Sequence, residues 1–295
     1  MAGRSGRGAV ASGLHTRAIN ALPDVSPNDT ADAVDRGVWS SKLGFVLAAS
    51  GSAIGLGNIW KFPYITGAHG GGAFVLIYLG CIALIALPIL IGEIIMGKTT
   101  QQSAVPAFRE LSRPASPWMG IGWMGVLAAF LLLSYYAVIA GWTMHYVFLS
   151  LQGTFTGLDA EGVNNVFGEV ASSSGTNLAW LVVFMALTTF IVAGGIKRGI
   201  ELASRIMLPL LGLILLALMI VAATNAKSGF SEAADFVFSF RTDQLTAEGV
   251  LEAVGHAFFS VGVGMGTMIA YGSYLKRKSD AVGTSVLIVS LDTII

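Results

Sequence analysis

The hydrophobic positions of this 295-residue chain fall into runs of about 20 residues, separated by short polar or charged segments. The hydrocarbon core of a bilayer is about 30 Å thick, so an apolar run of that length predicts a helix that spans the membrane. The polar segment 1–38 predicts a disordered tail, and residues 39–295 form a single predicted membrane domain. Its seven expected spans lie at about residues 43–66, 73–96, 121–151, 178–193, 206–223, 251–274 and 281–295.

Composition supports the membrane prediction. The chain is 54% hydrophobic and only 12% charged, whereas about 25% of the residues of an average soluble domain are charged. The formal net charge of zero gives no reason to expect nucleic acid as a partner. Cys81 is the only cysteine, which excludes an intrachain disulfide and a cysteine-based zinc site.

Basic residues indicate the orientation of the spans. Lysines and arginines cluster before span one, after span two, between spans four and five and after span six, which places 14 of the 17 on one side if the spans alternate. The opposite loops are mainly acidic. Because cytoplasmic loops carry the excess of basic residues, we expect a multi-pass protein of the cell membrane with a cytoplasmic amino terminus.

Two glycine-rich stretches interrupt this apolar pattern. Residues 48–64 (AASGSAIGLGNIWKFPY) contain Gly51, Gly55, Gly57 and the polar Asn58 at membrane depth. Glycine costs about 1 kcal/mol relative to alanine within a helix, so the stretch predicts a broken helix, and residues 258–266 (FFSVGVGMG) predict another. Unwound backbone inside a membrane must find partners in protein, water or an ion. Paired broken helices are typical of secondary transporters, although the Gly51-x-x-x-Gly55 spacing alone also suits close helix packing.

The chemistry of these stretches favours an alkali cation. Backbone carbonyls and one amide oxygen are hard ligands, and no His/Cys set suitable for a transition metal accompanies them. The glycines at 262–266 do not form a dinucleotide-binding loop, since no strand precedes them and no acidic residue follows at the required distance. Glu93 could stabilise neighbouring backbone or form part of an ion pathway, and Asp292 favours a site. His256, Tyr135 and Tyr136 suit packing as well as they suit function.

Together these residues resemble the neurotransmitter:sodium symporters, above all the prokaryotic branch that includes the leucine transporter. The resemblance covers about residues 36–295. It is carried by five segments in the family's order: GxxxGLGNIWKFPY at 51–64, GGGAF at 70–74, YY-x5-W at 135–142, KRGIE at 197–201 and FFSVGVGMG at 258–266. It implies an all-α integral membrane protein with the family's inverted-repeat transporter fold. The chain would contain the first five-helix repeat, helix 6 and the start of helix 7, with helices 1 and 6 broken.

The resemblance also implies site residues. Sodium ligands would come from Gly51, Ala53, Ile54, Asn58, Ser260 and Asp292. The substrate pocket would be lined by Ser52, Ala53, Gly55, Leu56, Gly57, Leu132, Tyr136, Phe259, Ser260, Gly262 and Met265. Because Gly55 leaves no side-chain carboxylate, the substrate is expected to bring its own, which implies an amino acid, and the apolar lining suggests an apolar or aromatic one.

Gating residues follow from the same resemblance. Tyr136 and Phe259 would form the outer lid, and Lys61 stands where the family usually has an outer-gate arginine. The inner gate would contain Arg36, Trp39 and Tyr271, and Glu93 would brace the unwound part of helix 6.

The expected function is sodium-coupled import of an amino acid by alternating access, with Na⁺ as the coupling ion and no other cofactor or metal. No nucleophile–base pair supports an enzyme. The alternative is a non-transporting fragment, a pseudotransporter or half of a split membrane assembly, because the seventh span is still apolar at Ile295 and we expect the sequence to be truncated. A homodimer or a missing carboxy-terminal half would be the protein partner.

Overall fold

The computed structural model describes residues 38–114, 116–225 and 229–295. The predicted tail and Arg36 therefore lie outside the described residues, apart from Val38. Helices joined by short connections make up most of the described chain. They are α1 (Lys42–Ala53), α2 (Gly57–Ala68), α3 (Gly72–Thr100), α4 (Ala104–Leu111), α5 (Met119–Leu151), α6 (Ala160–Ser172), α7 (Ser174–Ala193), α8 (Ile196–Thr224), α9 (Gly229–Phe238), α10 (Ala247–Val261), α11 (Thr267–Gly272) and α12 (Ala281–Ile294).

Four helices among the described residues are long and apolar enough to cross a membrane: α3, α5, α7 and α8. The pair α1 and α2 makes a fifth candidate, bent by 51° at its break. The sixth predicted span is divided between α10 and α11, and the seventh is the 14-residue α12. The helices of spans four and five begin before the predicted boundaries of residues 178 and 206. Ser174 starts α7, and α8 begins at Ile196 because it includes the charged turn that lowers local hydropathy.

The first break is shorter than the glycines predict. Residues 54–56 separate α1 from α2, whereas Gly51 lies inside α1 and Gly57 begins α2. The prediction that all three glycines interrupt the helix is therefore wrong. A cost of about 1 kcal/mol per glycine is small enough for packing to override, and Gly51 packs against Ser204 of α8. Asn58 lies on the first turn of α2.

The second break covers residues 262–266, because Phe258–Val261 completes α10. Gly262 and Gly266 have φ values of 70° and 72°. This left-handed region is accessible to glycine without steric cost, so the sequence ends α10 and starts α11 at these two residues.

The helix α3 is held against α11 and the loop that follows it. A side chain added at Gly97 would overlap the Ile269 carbonyl, and one added at Gly272 would lie 2.7 Å from the Ile94 carbonyl oxygen. Lys98 Nζ also donates to the Ser279 carbonyl at 3.1 Å. The two helices therefore approach backbone to backbone, which requires small residues at the contact.

Three shorter helices, α4, α6 and α9, lie in segments that the sequence analysis treats as loops. Each has an apolar stripe along one face, as expected for a helix lying on the surface of a larger assembly. They pack against the ends of the long helices, α4 on α5 and α9 on α3.

Candidate functional site

A cavity of about 190 Å³ lies where the two helix breaks meet. Ten of the eleven predicted substrate-site residues line it, and the eleventh, Ser260, is fully buried in α10. Thr267, at the start of α11, also lines the cavity and was not predicted. The lining residues are Ser52, Ala53, Gly55, Leu56, Gly57, Leu132, Tyr136, Phe259, Gly262, Met265 and Thr267.

A polar cluster of three side chains lies beside this cavity. Asn58 Nδ2 donates to Asp292 Oδ1 at 2.9 Å and lies 3.2 Å from Ser260 Oγ. Ser260 Oγ donates to Asp292 Oδ2 at 2.6 Å. Asp292 is only 2% exposed, and a buried carboxylate requires such partners or a cation. The structure thus brings together three predicted cation ligands from α2, α10 and α12.

The end of α1 supplies the backbone oxygens. The last helical hydrogen bond runs from Ile54 N to Ser50 O at 2.7 Å, and the final carbonyls of a helix have no partner further along it. Gly51, Ala53 and Ile54, the predicted carbonyl ligands, belong to this last turn. Asn58 Oδ1 lies 3.4 Å from Gly55 N, which folds the break back toward the polar cluster.

The aromatic residues Tyr136 and Phe259 separate the cavity from a second one. The Tyr136 hydroxyl accepts a hydrogen bond from Leu56 N at 3.4 Å, and both rings line the two cavities. The second cavity, of about 270 Å³, is also lined by the exposed Lys61. No ion pair of Lys61 occurs among residues 38–114, 116–225 and 229–295.

At the opposite end of the broken helices, Trp39 and Tyr271 pack together. Their ring centroids are 5.6 Å apart, and Trp39 Nε1 donates to the Tyr271 carbonyl at 3.0 Å. Trp39 is 4% exposed. This contact joins the segment before α1 to α11.

Glu93 of α3 binds the second break directly. Its Oε1 accepts a hydrogen bond from Gly264 N at 2.6 Å, while its buried Oε2 has no hydrogen-bond partner in the described part of the chain. Of the two alternatives that the sequence leaves open, this geometry favours an interaction with neighbouring backbone.

A charge cluster that the sequence did not predict lies just before α1, where the buried Glu201 pairs with the exposed Arg205. Glu201, 2% exposed, accepts hydrogen bonds from Ser40 N at 3.1 Å and from Arg205 Nη2 at 2.6 Å. Arg205 also donates to Ser40 Oγ at 2.7 Å. The KRGIE segment at 197–201 marked the family resemblance, but its glutamate received no role because its partner is about 160 residues away.

The site's donors are hydroxyl, amide, carboxylate and carbonyl oxygens, which suit an alkali cation. Among the described residues no group of three or more His, Cys, Asp or Glu side chains could hold a transition metal.

Comparison with known proteins gives a consistent result. The sequence pattern of the sodium:neurotransmitter symporter family matches residues 36–167 and 160–295. An uncharacterized sodium-dependent transporter of Bacillus subtilis, YhdH, is 40% identical over 87% of this chain and 56% of its own length. The human sodium-dependent neutral amino acid transporter SLC6A17 is 27% identical over 84% of this chain and 38% of its own length.

A solved structure is similar as well. The crystal structure of MhsT in complex with L-phenylalanine matches with a TM-score of 0.80 and 44% sequence identity, covering 87% of this chain and 58% of that chain. The chain thus spans about half the length of the prokaryotic relatives it matches.

Proposed function

Because the chain belongs to the sodium:neurotransmitter symporter family, we propose that it acts as a sodium-coupled symporter that imports an amino acid by alternating access. Membership and the long apolar helices make it a multi-pass membrane protein. The observation that carries the proposal is the position of the Asn58–Ser260–Asp292 cluster beside the 190 Å³ cavity. A cation held by these oxygens and by the carbonyls at the end of α1 would lie next to the substrate.

The cavity suits an amino acid with an apolar or aromatic side chain. The breaks expose helix ends, which present partial positive charge at amino termini and partial negative charge at carboxyl termini. A zwitterion can use both. Leu132, Phe259 and Met265 provide the apolar part of the lining. L-phenylalanine, which is bound in the MhsT structure, is therefore the first substrate to test.

The gates follow from the positions of the aromatic pairs. Tyr136 and Phe259 would close the cavity on the outer side, and Trp39 with Tyr271 would close it on the cytoplasmic side. This orientation rests on the positive-inside distribution of lysine and arginine. Loss of the inner Trp39–Tyr271 contact, while the outer pair remains closed, would release sodium and substrate into the cytoplasm.

The test is uptake of labelled L-phenylalanine by proteoliposomes containing the chain, with an inward Na⁺ gradient compared against choline. We expect Na⁺-dependent accumulation that Asn58→Ala abolishes and that Asn164→Ala, at an exposed position of α6, leaves unchanged. Uptake that is equal in choline would refute sodium coupling. No accumulation under any condition would favour the alternative of a non-transporting protein or one half of an assembly.

A further inference from the structure

The helices α2 and α10 pack antiparallel along a single seam that leads away from the cation cluster. Residues on one face of α10 recur every three or four positions and meet residues of α2 and its carboxyl end. The contacts, from the cluster outward, are Asn58 with Ser260, Gly57 with Phe259, Phe62 with His256, and His69 with Glu252.

The outermost contact of the seam joins an imidazole to a carboxylate. His69 Nε2 lies 3.1 Å from Glu252 Oε2, and the two side chains are 17% and 37% exposed. The His69 ring stacks on Phe74 of α3, with centroids 6.0 Å apart and planes at 27°. Gly249 makes room for the ring, because a Cβ at that position would lie 2.9 Å from His69 Nδ1. The imidazole is thus held in one orientation, aimed at the carboxylate.

We propose that His69 and Glu252 are positioning residues, a proton-sensitive clamp that sets how tightly the cation cluster binds Na⁺; the inference rests on the proposed function. The two helices that the clamp joins carry Asn58 and Ser260 at their other ends. Fixing the outer ends of α2 and α10 restricts the movement of these two ligands relative to each other. When the ligands of a cation site are already in place, less conformational entropy is lost on binding the cation.

Protonation determines the strength of the clamp. A neutral imidazole can share only a hydrogen bond with Glu252, whereas an imidazolium forms a charge-assisted one, which is stronger. Histidine is the side chain whose charge ordinarily changes between about pH 5 and 8. The clamp is therefore stronger when His69 is protonated, and the Na⁺ concentration for half-maximal binding should be lower in that state.

Other charged or titratable groups lie on the elements packed against His69, and Glu248 provides the control for the test. Glu248 lies one turn before Glu252 on the same helix, and it has no ion pair among the described residues. Further groups on these elements include His256 on α10, Tyr78 on α3, Lys61 and Tyr64 on α2, and Arg241, whose backbone N–H donates to the Gly70 carbonyl.

The experiment measures the clamp and its effect on the site separately. The melting temperature of the purified chain is determined for wild type, His69→Gln, Glu252→Gln and the double variant at about pH 5.5 and about pH 8. Both glutamines keep a hydrogen-bonding group and remove the charge. The Na⁺ dependence of L-phenylalanine binding is then titrated for the same proteins, with Glu248→Gln as the matched control for loss of one carboxylate from α10.

We expect a His69–Glu252 coupling in melting temperature that is larger at the lower pH. We also expect a wild-type half-saturating Na⁺ concentration that rises about two- to fivefold between the two pH values, the range expected for a partly exposed ion pair. That rise should disappear in His69→Gln and Glu252→Gln and persist in Glu248→Gln.

Absence of coupling at both pH values would overturn the clamp. A pH dependence that survives in His69→Gln would overturn its link to sodium. If the His69–Glu252 coupling is present but the wild-type chain shows no Na⁺-dependent binding at either pH, the proposed function is overturned. The link between the clamp and sodium binding then fails with it.

Discussion

Replacing Gly57 with alanine should weaken substrate binding by displacing the Phe259 ring, which lines the cavity. A Cβ at position 57 would lie 2.7 Å from Phe259 Cε1 and 3.1 Å from Cδ1. Carbon atoms in favourable contact are about 3.5–4.0 Å apart, so the ring must move by roughly an ångström. Because the ring lines the cavity, its displacement reduces the space left for a ligand.

The size of the effect follows from known overpacking costs. An extra methyl group in a packed site costs about 1–3 kcal/mol, while alanine recovers up to about 1 kcal/mol of helical stability relative to glycine. If about 1–2 kcal/mol of strain falls on the ligand-bound state, the affinity for substrate decreases about 5- to 30-fold. The gain in helical stability is common to the free and bound states and cancels in the binding comparison.

The assay is equilibrium binding of labelled L-phenylalanine at saturating Na⁺. Gly80→Ala is the matched control, because a Cβ at Gly80 of α3 would meet no atom within 4 Å. It should bind as wild type does and melt at an equal or higher temperature, whereas Gly57→Ala should melt below Gly80→Ala. Binding by Gly57→Ala within about twofold of wild type would refute the packing argument.

Three further changes test other parts of the site. Asp292→Asn should raise the half-saturating Na⁺ concentration at least about tenfold, since it removes a buried negative charge beside the proposed cation position. A titration showing no change would remove Asp292 from the cation ligands. Glu93→Ala leaves the Gly264 N–H without its acceptor and should destabilise the protein by about 1.5–3 kcal/mol, measured as a lower melting temperature that Glu93→Gln largely restores. Tyr136→Phe removes a 3.4 Å bond to Leu56 N, so affinity for L-phenylalanine should fall less than about fivefold, and a loss above about 100-fold would mean that the hydroxyl binds the substrate itself.

Local sequence signals predicted the helices and the region of their breaks well. The apolar runs identify the long helices to within a few residues for α3 and α5. Hydropathy places the start of α8 too late, because Lys197 and Glu201 lower the hydropathy of a first turn that is nevertheless helical. Helix propensity also predicts a first break that is too long. Gly51 stays helical because it packs against another helix, and propensity does not include such tertiary contacts.

The residues that line the candidate cavity were predicted only as a set carried by several motifs, and their roles as ligands stay a prediction. Thr267 and the Glu201–Ser40 contact were missed, and so was the His69–Glu252 pair. Glu201 with Ser40 and His69 with Glu252 are more than 150 residues apart in the chain, and no spacing rule relates such residues. They meet because broken helices return to the same region of the fold, which only the tertiary structure reveals.

The glycine contact between α3 and α11 has a mechanical consequence. At Gly97 and Gly272 a Cβ would meet backbone atoms of the opposite helix, so the two backbones are in direct contact. The Lys98–Ser279 and Glu93–Gly264 bonds add fixed points along the same line. We therefore expect α3, α11 and Gly264 to move as one unit in the proposed transport cycle, with bending at Gly262 and Val263, between the end of α10 and the Glu93–Gly264 bond.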